Sequence, residues 1–252
     1  MIFFAHLISV ISEITDRKLV AAMNVTNQVE TLPFQANVKT RRIIKQGGAA
    51  AKPRLYDLGN YMRPEDWRRL PPAIQKRFGA HEDPPQTDYY GNMEIVRRSF
   101  LGFCLAHLSR PLGAPVPPFA GKNVPTIVRL YETPAKDGIV WERRYAFSNN
   151  RATTIKSIKL YTDTEGLLEW VGGGLGMYLD VFEQDQKLHF VSQSYFWRKG
   201  PITIPLPAWL SPGRTHVIHT DEGNGWFRFT MSIIHPLFGE LYFQDGLFKD
   251  EE

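Results

Sequence analysis

Three side chains stand out because a charge or an imidazole interrupts a strand-like pattern. Arg143 lies between Trp141 and Tyr145 at every-other-residue spacing, Glu169 between Leu167 and Val171, and His189 shares its alternation with Val191, Gln193 and Tyr195. Residues two apart in a strand point to the same face. A charge on an apolar face is costly unless it is paired or meets a ligand. Arg143 and Glu169 are therefore expected either to pair with each other or to point at a bound molecule. If the three converge in one pocket, Glu169 and His189 have the chemistry for proton transfer and Arg143 for holding an anion. They are the candidate catalytic residues. Arg143, Trp141, Tyr145, Glu169, Tyr195 and Trp209 form the candidate ligand-binding set.

Other chemistry finds less support. His216 and His219 are three apart, which puts them on opposite faces of a strand and unable to share a metal. The run Gly172-Gly173-Gly174-Leu175-Gly176 lacks the Lys-Ser/Thr of a phosphate loop and is followed by a strand pattern, so a hairpin or sheet bend is expected there. No GxSxG elbow occurs, and Ser192 and Ser194 alternate with Phe190 and Phe196, which makes them small core residues. The single cysteine, Cys104, sits in an apolar run without a basic neighbour and reads as an inert buried thiol. No metal and no cofactor are expected.

The elements that must position these residues are mostly strands. Tyr89–Arg98, Thr126–Glu132, Ile139–Phe147, Thr153–Tyr161, Leu167–Val171, Met177–Glu183, Lys187–Trp197, Thr215–Thr220, Trp226–Ile233 and Glu240–Phe248 carry the pattern. Short turns separate many of them, Asp221–Gly225 being the clearest hairpin signal. Arg63–Phe78 and Phe100–Ser109 read as short helices, with Pro64 suited to a first turn. Pro111–Pro125 holds five prolines and is expected to be a stiff loop. The stretch Ile202–Gly213 reads as a lid, a crossover or a partner surface around Trp209 and Leu210. The predicted fold is α+β, mainly antiparallel β: a strongly curved sheet or partly open β-barrel of about 9–10 strands with one or two short helices.

Charge divides the chain. Residues 1–80 hold thirteen Lys/Arg against six Asp/Glu, while residues 81–252 hold seventeen against twenty. The basic character belongs to an N-terminal arm, 1–60, expected to be loosely packed, ahead of a single β-rich domain, 61–252. Because that domain is slightly acidic and lacks a basic aromatic face, no nucleic-acid partner is expected. Met1–Ser12 is apolar but too short to span a bilayer, and it lacks the basic start of a signal peptide. One cysteine gives no sign of an oxidising compartment, so the expected location is cytoplasmic, with peripheral membrane contact through residues 1–60.

Four segments in this order, Leu70–Gly79 (LPPAIQKRFG), Glu169–Met177 (EWVGGGLGM), Ile204–Gly213 (IPLPAWLSPG) and His235–Gln244 (HPLFGELYFQ), carry a family resemblance. Over about Leu70 to Phe248 the chain resembles an uncharacterised bacterial domain family, found alone or as the C-terminal part of saccharopine-dehydrogenase-like NAD-binding proteins. The resemblance implies no activity and transfers no catalytic residue. It does imply a domain that works beside a separate NAD-binding reductase, since no nucleotide-binding half is present here.

Three functional expectations follow. The first is a β-cup that binds a lipid-like or apolar small molecule behind a Pro-rich rim. The alternative is an isomerase or hydrolase in the same cavity. The third is a membrane-associated interaction protein attached through its arm.

Overall fold

The computed structural model describes residues 57–79, 86–109, 116–133, 136–148 and 151–249. The first 56 residues, and with them Met1–Ser12 and nearly all of the expected basic arm, lie outside the described residues.

Among the described residues, eleven strands form one antiparallel sheet: β1 Thr87–Arg98, β2 Gly121–Thr133, β3 Lys136–Phe147, β4 Arg151–Thr162, β5 Gly166–Gly172, β6 Leu175–Gln184, β7 Lys187–Lys199, β8 Ile202–Leu206, β9 Arg214–Gly223, β10 Trp226–His235 and β11 Gly239–Lys249. Neighbours run β6-β5-β4-β3-β2-β1-β11-β10-β9-β7, and β6 pairs with β7, so ten strands close a barrel. Closure removes the free edges that an open sheet of this length would present. β8 is added outside the ring on the second half of β7, from Tyr195↔Leu206 to Lys199↔Ile202. The stretch expected as a lid thus begins with a strand. β2 also starts earlier than its prolines suggest. Pro125 pairs with Asn92 of β1, but the β3 ladder begins only at Thr126, so the missing N–H of proline costs no bond on that side.

Turn chemistry sets the register. Asp185 and Gln186 between β6 and β7 both have positive φ, as do Asn224 and Gly225 between β9 and β10, which is the geometry of the tight hairpin turn whose twist matches the strands. Gly172, Gly173 and Gly174 all have positive φ and bend β5 into β6. A Cβ on Gly174 would lie 2.5 Å from the Arg198 carbonyl oxygen. The glycine run is therefore a tight corner packed against β7.

Each strand puts one face inside. Trp141, Tyr145 and Phe147 of β3, Leu167 and Val171 of β5, and Phe227, Phe229, Met231 and Ile233 of β10 join one core cluster. The chain enters through a 3-10 turn, Leu58–Asn60, and two short helices, α1 Pro64–Arg69 and α2 Pro72–Phe78. Both helices start on proline, whose fixed φ suits a first turn and whose missing N–H is no loss there. Ile74 and Phe78 of α2 are fully buried and close the barrel at the end where β1 begins. Phe78 stands edge-on to His219 at 4.8 Å.

The third helix, α3 Phe100–Leu108, follows β1 at the opposite end. Ser99 caps it, its hydroxyl accepting from the Gly102 N–H. Gly102 touches the sheet backbone so closely that a Cβ there would lie 1.9 Å from the Leu241 carbonyl oxygen. That contact holds α3 beside β1 and β11 at the barrel mouth. No helix among the described residues is long and apolar enough to cross a membrane.

Candidate functional site

The barrel interior holds charge. On β4 the inward face carries Ile155, Ser157 and Lys159, and Lys159 lies directly across from Glu169 of β5. The Lys159 ammonium is 3.0 Å from the Glu169 carboxylate and 4.6 Å from the centre of the Trp141 ring. One strand further, Arg143 donates from a terminal guanidinium nitrogen to the Ser157 hydroxyl at 3.3 Å. Its Nε–H has no hydrogen-bond partner among the described residues, and the residue is only 8% exposed. Trp141 Nε1 and His219 Nδ1 are likewise buried without a partner.

These groups border a cavity of about 80 Å³ on the α3 side of the barrel. Trp141, Arg143, Lys159, Glu169 and His219 form its inner wall. Val171, Met177, Val217, Met231 and Ile233 form an apolar sleeve leading outward. Leu105 of α3, Ser109 just after it, Val116 and Pro212 bound it toward the mouth. A single water needs roughly 10–15 Å³, so the space takes a small molecule or a short chain. A second, smaller space of about 10 Å³ lies on the α2 side, sharing Trp141, Arg143, His219 and Phe229.

Two cations and one carboxylate line the cavity, and the electrostatics follow from that count. Burial pushes the Glu169 carboxyl up, but the charges of Lys159 and Arg143, with hydrogen bonds from Ser157 and Lys159, hold it below its ordinary range. Burial lowers the Lys159 ammonium, and although Glu169 pulls it up, Arg143 adds to the lowering. Burial, then the charges of Arg77 and Lys159, press the His219 imidazole well below its ordinary value, so the ring is neutral. The site is an ion pair with a surplus cation, Arg143, beside apolar walls.

Of the residues singled out from the sequence, Arg143, Trp141, Glu169 and Tyr195 meet around this cavity. Glu169 takes Lys159, not Arg143, as its ion-pair partner. Tyr195 donates to or accepts from the Thr215 hydroxyl at 2.6 Å. Tyr145 is inside the barrel, but its hydroxyl donates to Gln244 at 3.1 Å, which also accepts from Tyr242, and it does not line the cavity.

His189 and Trp209 lie elsewhere. The β6–β7 register slips between Tyr178↔Ser194 and Leu179↔Ser192, leaving Gln193 as a bulge. The bulge reverses the alternation, so Phe190 and Tyr195 point inward together, although strict period two would separate them, and His189 points out. Its Nε2–H donates to the Gln184 carbonyl at 3.3 Å, and its Nδ1 shares a hydrogen bond with His216 Nε2 at 2.9 Å. Phe182 stacks on its ring. Trp209 sits in a turn closed by the Leu210 and Ser211 N–H groups on the Pro207 carbonyl, which turns the indole out to 64% exposure.

Lys159, His219 and Thr215 were not picked out from the sequence. Lys159 shares a face with Ile155 and Ser157, and that alternation was its available signal. His219 alternates with Thr215 and Val217 in the same way. His216 and His219 do face opposite sides of β9, and no cluster of three or more metal-type ligands occurs among the described residues.

A family model described as "Domain of unknown function (DUF4166)" matches residues 70–248. The chain is 26% identical over 199 residues to the uncharacterized protein YndH of Bacillus subtilis (strain 168), covering 74% of this chain and 94% of that protein. No solved structure gives a significant match.

Proposed function

The chain belongs to the DUF4166 family, and from that premise we propose that its barrel binds a small amphipathic acid, with the acid group on Arg143 and the apolar part along the sleeve toward α3. The observation that carries this reading is the buried Arg143 Nε–H without a partner among the described residues. A buried guanidinium with an unmet donor is expensive, and Glu169, the carboxylate that lines the cavity with it, is already engaged by Lys159. An anionic ligand oxygen would satisfy Arg143, with Trp141 Nε1–H as a second donor beside it. The apolar sleeve would bury the remainder of the ligand.

The catalytic alternative loses one of its three named residues, because His189 points out of the barrel and does not line the cavity. A carrier of this kind would suit the reductase association implied by the family resemblance, since a held acid can be handed to a separate enzyme.

Native mass spectrometry tests the reading. Protein incubated with a panel of straight-chain acids of increasing length should show one-to-one adducts up to a length cutoff, and an Arg143→Met variant should not. Adducts of equal abundance in both proteins would refute the assignment of Arg143.

A further inference from the structure

The exposed apolar side chains are not scattered. Ten large hydrophobic residues are exposed among the described ones, and eight lie at the end of the barrel where α3 sits. Phe100 and Leu108 begin and end α3, at 77% and 46% exposure. Ile234 lies at the end of β10 and Leu237 in the β10–β11 turn. Trp209 and Leu210 stand in the turn before β9, and Ile202 and Ile204 on β8. Because β1, β11, β10, β9 and β7 with β8 are successive neighbours, these pairs follow one another around a single rim. Grouped exposed hydrophobics of this kind mark an interaction surface, whereas isolated ones need no explanation.

The same rim is basic. Its strand ends, turns and helix carry Arg97, Arg98, Lys122, Arg151, Lys199 and Arg214. The carboxylates near them are fewer and already engaged: Glu240 pairs with Arg97 at 2.7 Å, Glu94 with Arg228 at 2.7 Å, and Asp180 feels the charge of Arg214. An apolar rim with a surplus of cations matches the surface of a bilayer bearing anionic headgroups: the aromatic and aliphatic side chains enter the acyl boundary, and the Lys and Arg groups meet the phosphates.

We propose that the α3 end of the barrel docks on an anionic membrane surface. The docking does not depend on what the cavity holds. It does place the cavity mouth, bounded by Leu105, Ser109 and Pro212, against the bilayer.

Vesicle co-sedimentation of the full chain tests this. Wild type should pellet with phosphatidylcholine vesicles containing phosphatidylglycerol, and roughly tenfold or more weakly with phosphatidylcholine alone. A Trp209→Glu/Leu210→Glu variant should lose binding to both, and Lys122→Glu/Lys199→Glu should lose the preference for the anionic vesicles. Both variants change exposed positions, and an unchanged melting temperature shows that they fold. Trp226→Glu, at the opposite end, should bind as wild type does. Wild type that ignores vesicles, or rim variants that bind as well as wild type, would overturn the proposal. The second outcome would assign attachment to another part of the chain.

Discussion

Lys159 and Glu169 face each other across β4 and β5 with ammonium and carboxylate 3.0 Å apart, while Arg143 stands one strand beyond as a second cation for the same carboxylate. The imbalance makes removal of the two partners unequal. Glu169→Gln leaves two buried cations with no anion and should cost about 3–5 kcal/mol, the usual range for an orphaned buried charge. Lys159→Met leaves Glu169 with Arg143 and should cost clearly less. Urea unfolding at neutral pH measures both. Equal losses would mean that Arg143 is not the reserve partner.

Acid should destabilise the barrel through His219. Its native pKa lies well below the ordinary histidine value because burial and the charges of Arg77 and Lys159 oppose protonation. As pH falls below about 6.5, the unfolded chain takes up a proton that the native ring refuses, so stability drops by up to about 1.4 kcal/mol per pH unit for this one group. His219→Phe, among the rings of Phe78, Phe190 and Phe229, removes that proton. The variant should gain on wild type between about pH 6.5 and 5 and not above. Glu169 acts in the same direction lower down. Its depressed pKa contributes stability above about 4.3, lost as pH falls through the native value.

Gly102 should accept no side chain. Alanine would put a methyl 1.9 Å from the Leu241 carbonyl oxygen, so α3 must move off β11. A loss of about 1–3 kcal/mol is expected, as for other overpacking, with faster amide exchange confined to α3 and the cavity mouth. Unchanged exchange in α3 would show that this contact does not hold the helix.

Much of the barrel was legible in the residues. The alternation of Trp141, Arg143, Tyr145 and Phe147 gave the inner face of β3 directly, and that of Leu167, Glu169 and Val171 gave β5. Period two fails where a bulge intervenes, and Gln193 is such a place. Nothing in LHFVSQSYF announces that one residue drops out of the count, so His189 and Tyr195 look like neighbours when they are not. A curved sheet or partly open barrel was legible in the number of strands, but the pairing that completes the ring, first strand β1 with last strand β11, has no local signal. Lys159 was hidden by habit: a lysine among Ile158, Leu160 and Tyr161 reads as the solvent face, and only the register against Glu169 turns it inward.

The claim on which the account rests is that Arg143 awaits an anion. Titration calorimetry with decanoic acid and decanol, matched in chain and differing in charge, tests it most directly. Wild type should bind the acid and not the alcohol. Arg143→Met should keep its fold, with a melting temperature equal to or above wild type because a costly buried charge is gone. It should bind the acid at least tenfold more weakly, as expected for a lost charged hydrogen bond of about 1.5–3 kcal/mol. Acid and alcohol bound alike, or acid bound equally by wild type and Arg143→Met, would contradict it.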